Sequence, residues 1–229
     1  CRIAVKYMTP VMLLSDGYLA NGSEPWLIPN PDDLVPFDVS YAEKTNTTVD
    51  GEDVFWPYLR DKTTLARPWA KPGTAGLEHR VGGLEKQEGS GVVSYEADNH
   101  EYMIKIRAEK IQRIQAEIPP IEIYGDPDAD LLIIGWGSTK GAIEAGVSRS
   151  IKAGQKAASI HLRFLNPLPA DLGEVLGRFS QHLVPELNNG QLVKVLRDQF
   201  LLPMEAMNKI QGRPFGPSEI ATKIEEMIG

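Results

Sequence analysis

Four consecutive large aliphatics, Leu131–Ile134, stand between Asp130 and a turn holding Gly135, Gly137, Ser138, Thr139 and Gly141. A short apolar run bounded by turn residues and followed by helical periodicity reads as a strand buried on both faces, which is how strands of parallel sheets read. A strand of that kind needs a helix layer on each side. The turn lies at the carboxyl end of the strand, where open α/β sheets place ligands and partner loops.

The rest of the carboxyl-terminal half repeats the pattern. Ile143, Val147 and Ile151 mark one face of a helix that Gly154 closes, and Ala157–Leu162 is the next strand. It leads into Arg163-Phe164-Leu165-Asn166-Pro167-Leu168-Pro169, then a short helix over Asp171–Phe179. His182–Leu187 is a third strand, followed by Asn188-Asn189-Gly190-Gln191 and a helix over Leu192–Phe200. Ser218–Ile228 closes the chain as an amphipathic helix with Ile220, Ile224 and Ile228 aligned. Strand–helix alternation with such crossovers implies right-handed connections and a three-layer sandwich of class α/β.

The glycine turn fails the tests for nucleotide loops. A phosphate loop requires Gly before Lys and Ser/Thr after it, but here Lys140 precedes Gly141. A dinucleotide fingerprint requires glycine where Lys140 stands. The spacing is not GxSxG either, so Ser138 is no nucleophile elbow. The simpler reading is that Ser138 or Thr139 caps the following helix. No metal motif is present: His79, His100, His161 and His182 are scattered, and neither HExxH nor Cys–His spacing occurs.

Toward the amino end, Arg2–Met8 reads as the end of a helix and Val11–Leu14 as a strand entering the Ser15-Asp16-Gly17 turn. Cys1 precedes this with no initiating Met, so the sequence is expected to be a piece of a longer polypeptide. From Asn21 to Pro72, seven prolines forbid long helices and central strands, yet Trp26, Phe37, Tyr41, Phe55, Trp56, Tyr58 and Trp69 make the segment aromatic. Disordered linkers are poor in aromatics, so an ordered, extended arm is expected. Pro72–Gly91 is a glycine-dense loop carrying His79 beside Glu78 and Arg80, which reads either as a surface histidine in a turn or as a group that binds an anionic carboxylate or tunes a proton transfer. Asp98 and Glu101 form a capping box opening a helix of roughly five turns. Its apolar stripe is expected at Ile104, Ile111, Ile114 and Ile118, flanked by Met103 and Ile106, with Lys110 among the solvated cations, and Pro119-Pro120 stops it. This helix reads as a strut between two domains.

A net charge of −7 argues against a nucleic-acid surface, which needs clustered Lys and Arg. No run is long and apolar enough for a membrane span, and no charged-then-apolar leader opens the chain. The single Cys1 cannot hold an iron–sulfur cluster, which takes about four thiolates. A cytoplasmic protein is expected.

Several motifs in succession carry a resemblance. PVMLLSDGYLANGSEPW, RPWAKPGTAGLEHRVGGLEK, NHEYMIKIRAEKI, LLIIGWGSTKGAI, RFLNPLP and PELNNGQL together resemble the α subunit of 2-oxoacid:ferredoxin oxidoreductases, most nearly the 2-oxoglutarate type. The resemblance covers nearly the whole chain. It implies oxidative decarboxylation of a 2-oxoacid to acyl-CoA with electrons passed to ferredoxin, or the reverse, CO2-fixing reaction. Thiamine diphosphate and Mg2+ would be shared with a β subunit that carries the 4Fe-4S cluster, in an α/β heterotetramer, with coenzyme A as substrate. No GDG…NN magnesium segment is present, since the nearest Gly-Asp upstream of Asn188-Asn189 is Gly125-Asp126, more than sixty residues away.

The implied organisation is a transketolase C-terminal-like three-layer sandwich over 119–229. The end of a thiamine-diphosphate pyrimidine-binding domain would occupy 1–26, and a connecting arm with the strut helix 27–118. The implied partners are the β subunit, the remainder of the α subunit, and ferredoxin, with no nucleic acid or membrane. Asp16, Gly17 and Asn21 become candidates for the cofactor cleft or an interface, and His79 and Arg80 for the distal carboxylate of a dicarboxylic 2-oxoacid. Arg163, Glu186, Asn188 and Gln191, at strand carboxyl ends, become candidates for a CoA or subunit contact. No catalytic residue is assigned within this stretch. The competing reading is a noncatalytic assembly or dimerisation module of the same fold. A flavodoxin-like nucleotide binder is disfavoured by the misplaced glycine.

Overall fold

The computed structural model describes residues 1–34, 36 and 39–229, so Phe37 of the aromatic arm lies outside the described residues. Two compact units emerge: Cys1–Met12 with Leu27–Glu117, and Leu13–Trp26 with Ile118–Gly229. In chain order the first elements are α1 (Arg2–Tyr7) and the single-turn α2 (Gly17–Ala20), one in each unit.

The first unit is built mostly from irregular chain, as its prolines require. β1 (Tyr41–Ala42) pairs in parallel with β4 (Trp69–Ala70), and β2 (Thr47–Val49) forms a hairpin with β3 (Glu52–Val54). The organising element is α3 (Ala97–Arg113), continued by a 3-10 turn over Ile114–Glu117. Met103, Ile106, Lys110 and Ile114 are buried along it, and Leu65 and Tyr58 pack against Met103 and Ile106. The expected stripe was rotated: Ile104 is 52% exposed, and Lys110 points inward. Spacings of three and four serve either face of a helix, and here Met103 wins the core over its neighbour Ile104. The helix start differs too. Glu96 is the N-cap, with no side-chain cap bond, and Asp98 sits inside the first turn, where its charge suits the helix dipole. At the other end, Glu117 ties α3's extension to α1, accepting from the Tyr7 hydroxyl at 2.6 Å and pairing with Arg2 and Lys6.

The expected strand over Val11–Leu14 does not form, and its side chains are 50–92% exposed. A strand needs a neighbour for its backbone groups, and no described segment runs beside it.

The second unit is a five-stranded sheet in the order β5-β7-β6-β8-β9: Ile123–Gly125, Ala157–Leu162, Leu131–Trp136, Gln181–Glu186 and Glu205–Asn208. All pairs are parallel except the edge strand β5 on β7. Leu131 and Ile133 face α4 (Lys140–Lys152) and α7 (Pro217–Ile228), through Ile143, Val147, Ile220 and Ile224. Leu132 and Ile134 face α5 (Leu172–Gly177) and α6 (Gln191–Phe200), through Leu172, Leu176, Val193 and Leu196. This is the three-layer α/β sandwich that the aliphatic run requires. The two edge strands were not expected, because Ile123–Gly125 and Glu205–Asn208 are too short and too mixed to show a period.

Candidate functional site

The Gly135 turn is shaped by packing. A Cβ on Gly135 would lie 2.5 Å from Ile143 Cδ1 and 3.0 Å from Thr139 Oγ1, so any larger residue requires those side chains to shift as α4 closes on β6. Thr139 hydrogen-bonds back to Trp136, its hydroxyl donating to the carbonyl at 2.8 Å and accepting from the N–H at 3.2 Å. Ser138 points elsewhere. It hydrogen-bonds the Asp16 carboxylate, and that bond, with the Leu19 N–H, holds the Asp16 carboxyl below its usual range. Asp16 caps the single turn of α2, and Asn21 closes it with a 2.7 Å bond to the Gly17 carbonyl. Asp16, Gly17 and Asn21 therefore form one capped turn set against the glycine turn.

Glu186, Asn188 and Gln191 also come together. The Glu186 carboxylate is fully buried at the end of β8 and accepts from Trp136 Nε1 (3.2 Å), Asn188 Nδ2 (3.0 Å), Leu192 N (2.9 Å) and Val193 N (3.0 Å). Asn188 Oδ1 takes the Gln191 N–H at 2.9 Å. These bonds satisfy the first N–H groups of α6, which have no partner inside the helix. Arg163 lies apart, lining a cavity at the opposite end of the sheet order.

His79 and Arg80 belong to the first unit. They line a cavity of about 220 Å3 with Met8, Tyr58, Arg67, Trp69 and Lys86, and the lining holds no carboxylate. Arg67 lies over the Tyr58 ring at 4.6 Å, which fixes the guanidinium plane without neutralising it. The ammonium of Lys86, a buried residue, is engaged by the carbonyls of Gly82 and Leu84. His79 Nδ1 is 2.8 Å from the Leu77 carbonyl, which can only accept, so Nδ1 carries a proton and Nε2 is left for a ligand. The ring is steadied by Phe55, 5.4 Å away.

Lys110, outside the lining, is repelled by the same Arg67. Its burial, with Arg60, Arg67 and Arg107 adding repulsion, brings the ammonium down to about 8. Glu88 is paired with Arg60 at 3.3 Å, leaving Arg67 to face the cavity. A carboxylate entering here meets Arg67 and Arg80 without displacing an acidic residue of the lining. Sequence reading had found His79 and Arg80 but not Arg67, Tyr58 or Lys86. The signal available was the RPW run of Arg67–Trp69 in the same motif, although nothing in its spacing predicts the turn back onto His79.

The described residues do not fit a metal ion: no group of three or more His, Cys, Asp or Glu is gathered about a point. No protein-family model matches the chain. The 2-oxoglutarate oxidoreductase subunit KorA of Mycobacterium tuberculosis is 50% identical over 229 residues, which is 99% of this chain and 34% of that protein. Along its length the chain is similar to part of the α subunits of 2-oxoacid:ferredoxin oxidoreductases. The 2-oxoglutarate synthase subunit KorA of Methanothermobacter marburgensis is 25% identical, covering 99% of this chain and 58% of its own length. A solved 2-oxoglutarate:ferredoxin oxidoreductase from Magnetococcus marinus, with 2-oxoglutarate, coenzyme A and succinyl-CoA bound, superposes with a TM-score of 0.87 at 30% identity. That likeness covers 100% of this chain and 39% of the solved one. The chain thus spans about a third of the length of the Mycobacterium relative.

Proposed function

We propose that this chain is part of the α subunit of a thiamine-diphosphate-dependent 2-oxoglutarate:ferredoxin oxidoreductase. The enzyme decarboxylates 2-oxoglutarate to its acyl-CoA and reduces ferredoxin, or runs in reverse to fix CO2. The observation that carries this reading is the superposition of the whole chain on the Magnetococcus enzyme. On this reading, residues 119–229 are the docking sandwich, 27–118 the arm and strut helix, and 1–26 the closing part of the pyrimidine-binding domain. The protein works in the cytoplasm as an α/β heterotetramer. In support, no helix among the described residues is long and apolar enough to cross a membrane.

Thiamine diphosphate with Mg2+, shared with the β subunit, would supply the carbon nucleophile when bound, and the 4Fe-4S cluster would belong to β. The described residues of this chain gather no ligands for a metal, so no step through one is assigned to them. What this chain contributes is recognition. The carboxylate-free cavity takes the distal carboxylate of the substrate: Arg67 and Arg80 supply charge, and Tyr58 orients Arg67. His79 offers Nε2 to the bound substrate, its Nδ1 being taken by the Leu77 carbonyl. Charge-assisted hydrogen bonds of this kind contribute about 1.5–3 kcal/mol each. Coenzyme A is the acyl acceptor, and Asp16, Gly17 and Asn21 lie at a cofactor-cleft or subunit interface.

The test is made on the intact complex, with KM measured for 2-oxoglutarate and for pyruvate. Arg67→Met and Arg80→Met are expected to raise KM for 2-oxoglutarate about tenfold or more and to leave that for pyruvate within about twofold. An equal rise for both substrates, or none, contradicts the assignment of the distal carboxylate to this cavity.

A further inference from the structure

A second cavity, of about 550 Å3, opens at the β5–β7 edge of the sheet on the side covered by α4. Its floor is Tyr124, Ser159 and His161, which alternate onto the same face as Leu131 and Ile133. The first turn of α4 forms one wall with Lys140, Ile143 and Glu144, and Arg163 and Phe164 form another. Prolines 119, 120 and 169 make a stiff rim. The volume lies within the range of small-molecule sites, and the pattern of apolar walls with a few convergent polar groups is theirs too.

His161 is the unusual residue. Its Nδ1 is buried and has no hydrogen-bond partner among the described residues. It sits against Gly135, where even an added Cβ would be 3.6 Å away. With nothing for Nδ1 to donate to, the ring proton is assigned to Nε2, and the residue lines the cavity. Burial, followed by Lys140, lowers the pKa of the ring, and Arg163 adds to this against the opposing pull of Glu144. The ring is therefore a neutral donor placed between two cations. Lys140 and Glu144 make only a loose pair at 3.7 Å, which an incoming anion can loosen further. Glu122, also in the lining, sets a limit on how much negative charge the site accepts.

We propose that this cavity binds a small organic anion with a flat apolar body. Its carboxylate or phosphate head is held by Lys140, His161 Nε2–H and Arg163, and its body lies against Ile143, Phe164 and the prolines. The reaction proposed above makes no use of these residues.

The experiment titrates benzoate and phenyl phosphate separately into the intact complex, following binding by calorimetry. Saturable binding of at least one probe is expected, weakened at least tenfold by Arg163→Met and by His161→Leu and unchanged by Arg80→Met. The side chain of Lys140 is 58% exposed, so Lys140→Met is expected to leave the fold intact and to weaken the same probe at least threefold. A preference for benzoate identifies the head as carboxylate, and a preference for phenyl phosphate identifies it as phosphate. Failure of both probes to bind overturns the proposal, as does affinity unchanged in Lys140→Met and Arg163→Met, or loss of binding in Arg80→Met.

Discussion

Trp136 Nε1 donates to Glu186 Oε1 at 3.2 Å, joining the end of β6 to the start of α6 across adjacent strands. The same carboxylate serves the N–H groups of Leu192 and Val193, so one buried side chain holds the glycine turn and a helix N-terminus together. Glu186→Ala leaves these donors without a partner in a buried site. It is expected to destabilise the domain by about 2–4 kcal/mol, whereas Trp136→Phe removes a single donor and costs about 1–2 kcal/mol of polar interaction. Urea unfolding of the intact protein, followed by a probe in the last domain, orders the two variants. An Ala variant as stable as the parent contradicts the assignment.

Gly146 of α4 makes a second close approach. A Cβ there would stand 2.6 Å from Ile220 Cβ and Cγ2 and 3.2 Å from the Pro217 carbonyl. Helix propensity alone favours Gly146→Ala by about 1 kcal/mol, but the clash forces α7 away from α4. A net loss of about 1–3 kcal/mol is expected, measurable as a lowered Tm. A raised Tm shows that α7 has room to shift.

Lys110 gives a pH prediction with a definite sign. Its pKa is held near 8, against 10.5 ordinarily, so between those values the unfolded chain binds more protons than the folded one. Stability therefore rises with pH across that window, and below it the buried ammonium costs up to about 3 kcal/mol. Lys110→Met removes the charge along with the 3.0 Å bond to the Met8 carbonyl. It is expected to be about 1–2 kcal/mol more stable than the parent near pH 7, with the difference shrinking toward pH 10. Denaturation at several pH values checks this, and a pH-independent difference contradicts it.

These residues show what sequence can and cannot reveal. The four aliphatics Leu131–Ile134 announce a strand covered on both sides, because only a two-faced core accepts an unbroken apolar run. Lys110 looked solvated because a helix period allows two neighbouring faces, and only tertiary contact with Leu65 and Tyr58 decides between them. Val11–Leu14 has the composition of a strand, but strand formation depends on a partner that composition does not name. At the candidate site, His79-Arg80 stood out as an adjacent pair in a glycine-dense loop. Arg67 did not, because its meeting with them is made by an irregular chain with no period to read.

The proposed assignment of this chain to an enzyme acting on 2-oxoglutarate is tested most directly by activity of the full-length protein purified with its partner chain. The measurement is the rate of ferredoxin reduction with 2-oxoglutarate, pyruvate or a branched 2-oxoacid, each with and without coenzyme A. The account predicts CoA-dependent reduction with kcat/KM for 2-oxoglutarate at least tenfold above that for pyruvate. A purified complex with thiamine diphosphate and its cluster in place that reduces ferredoxin with none of these acids, or prefers pyruvate, contradicts it.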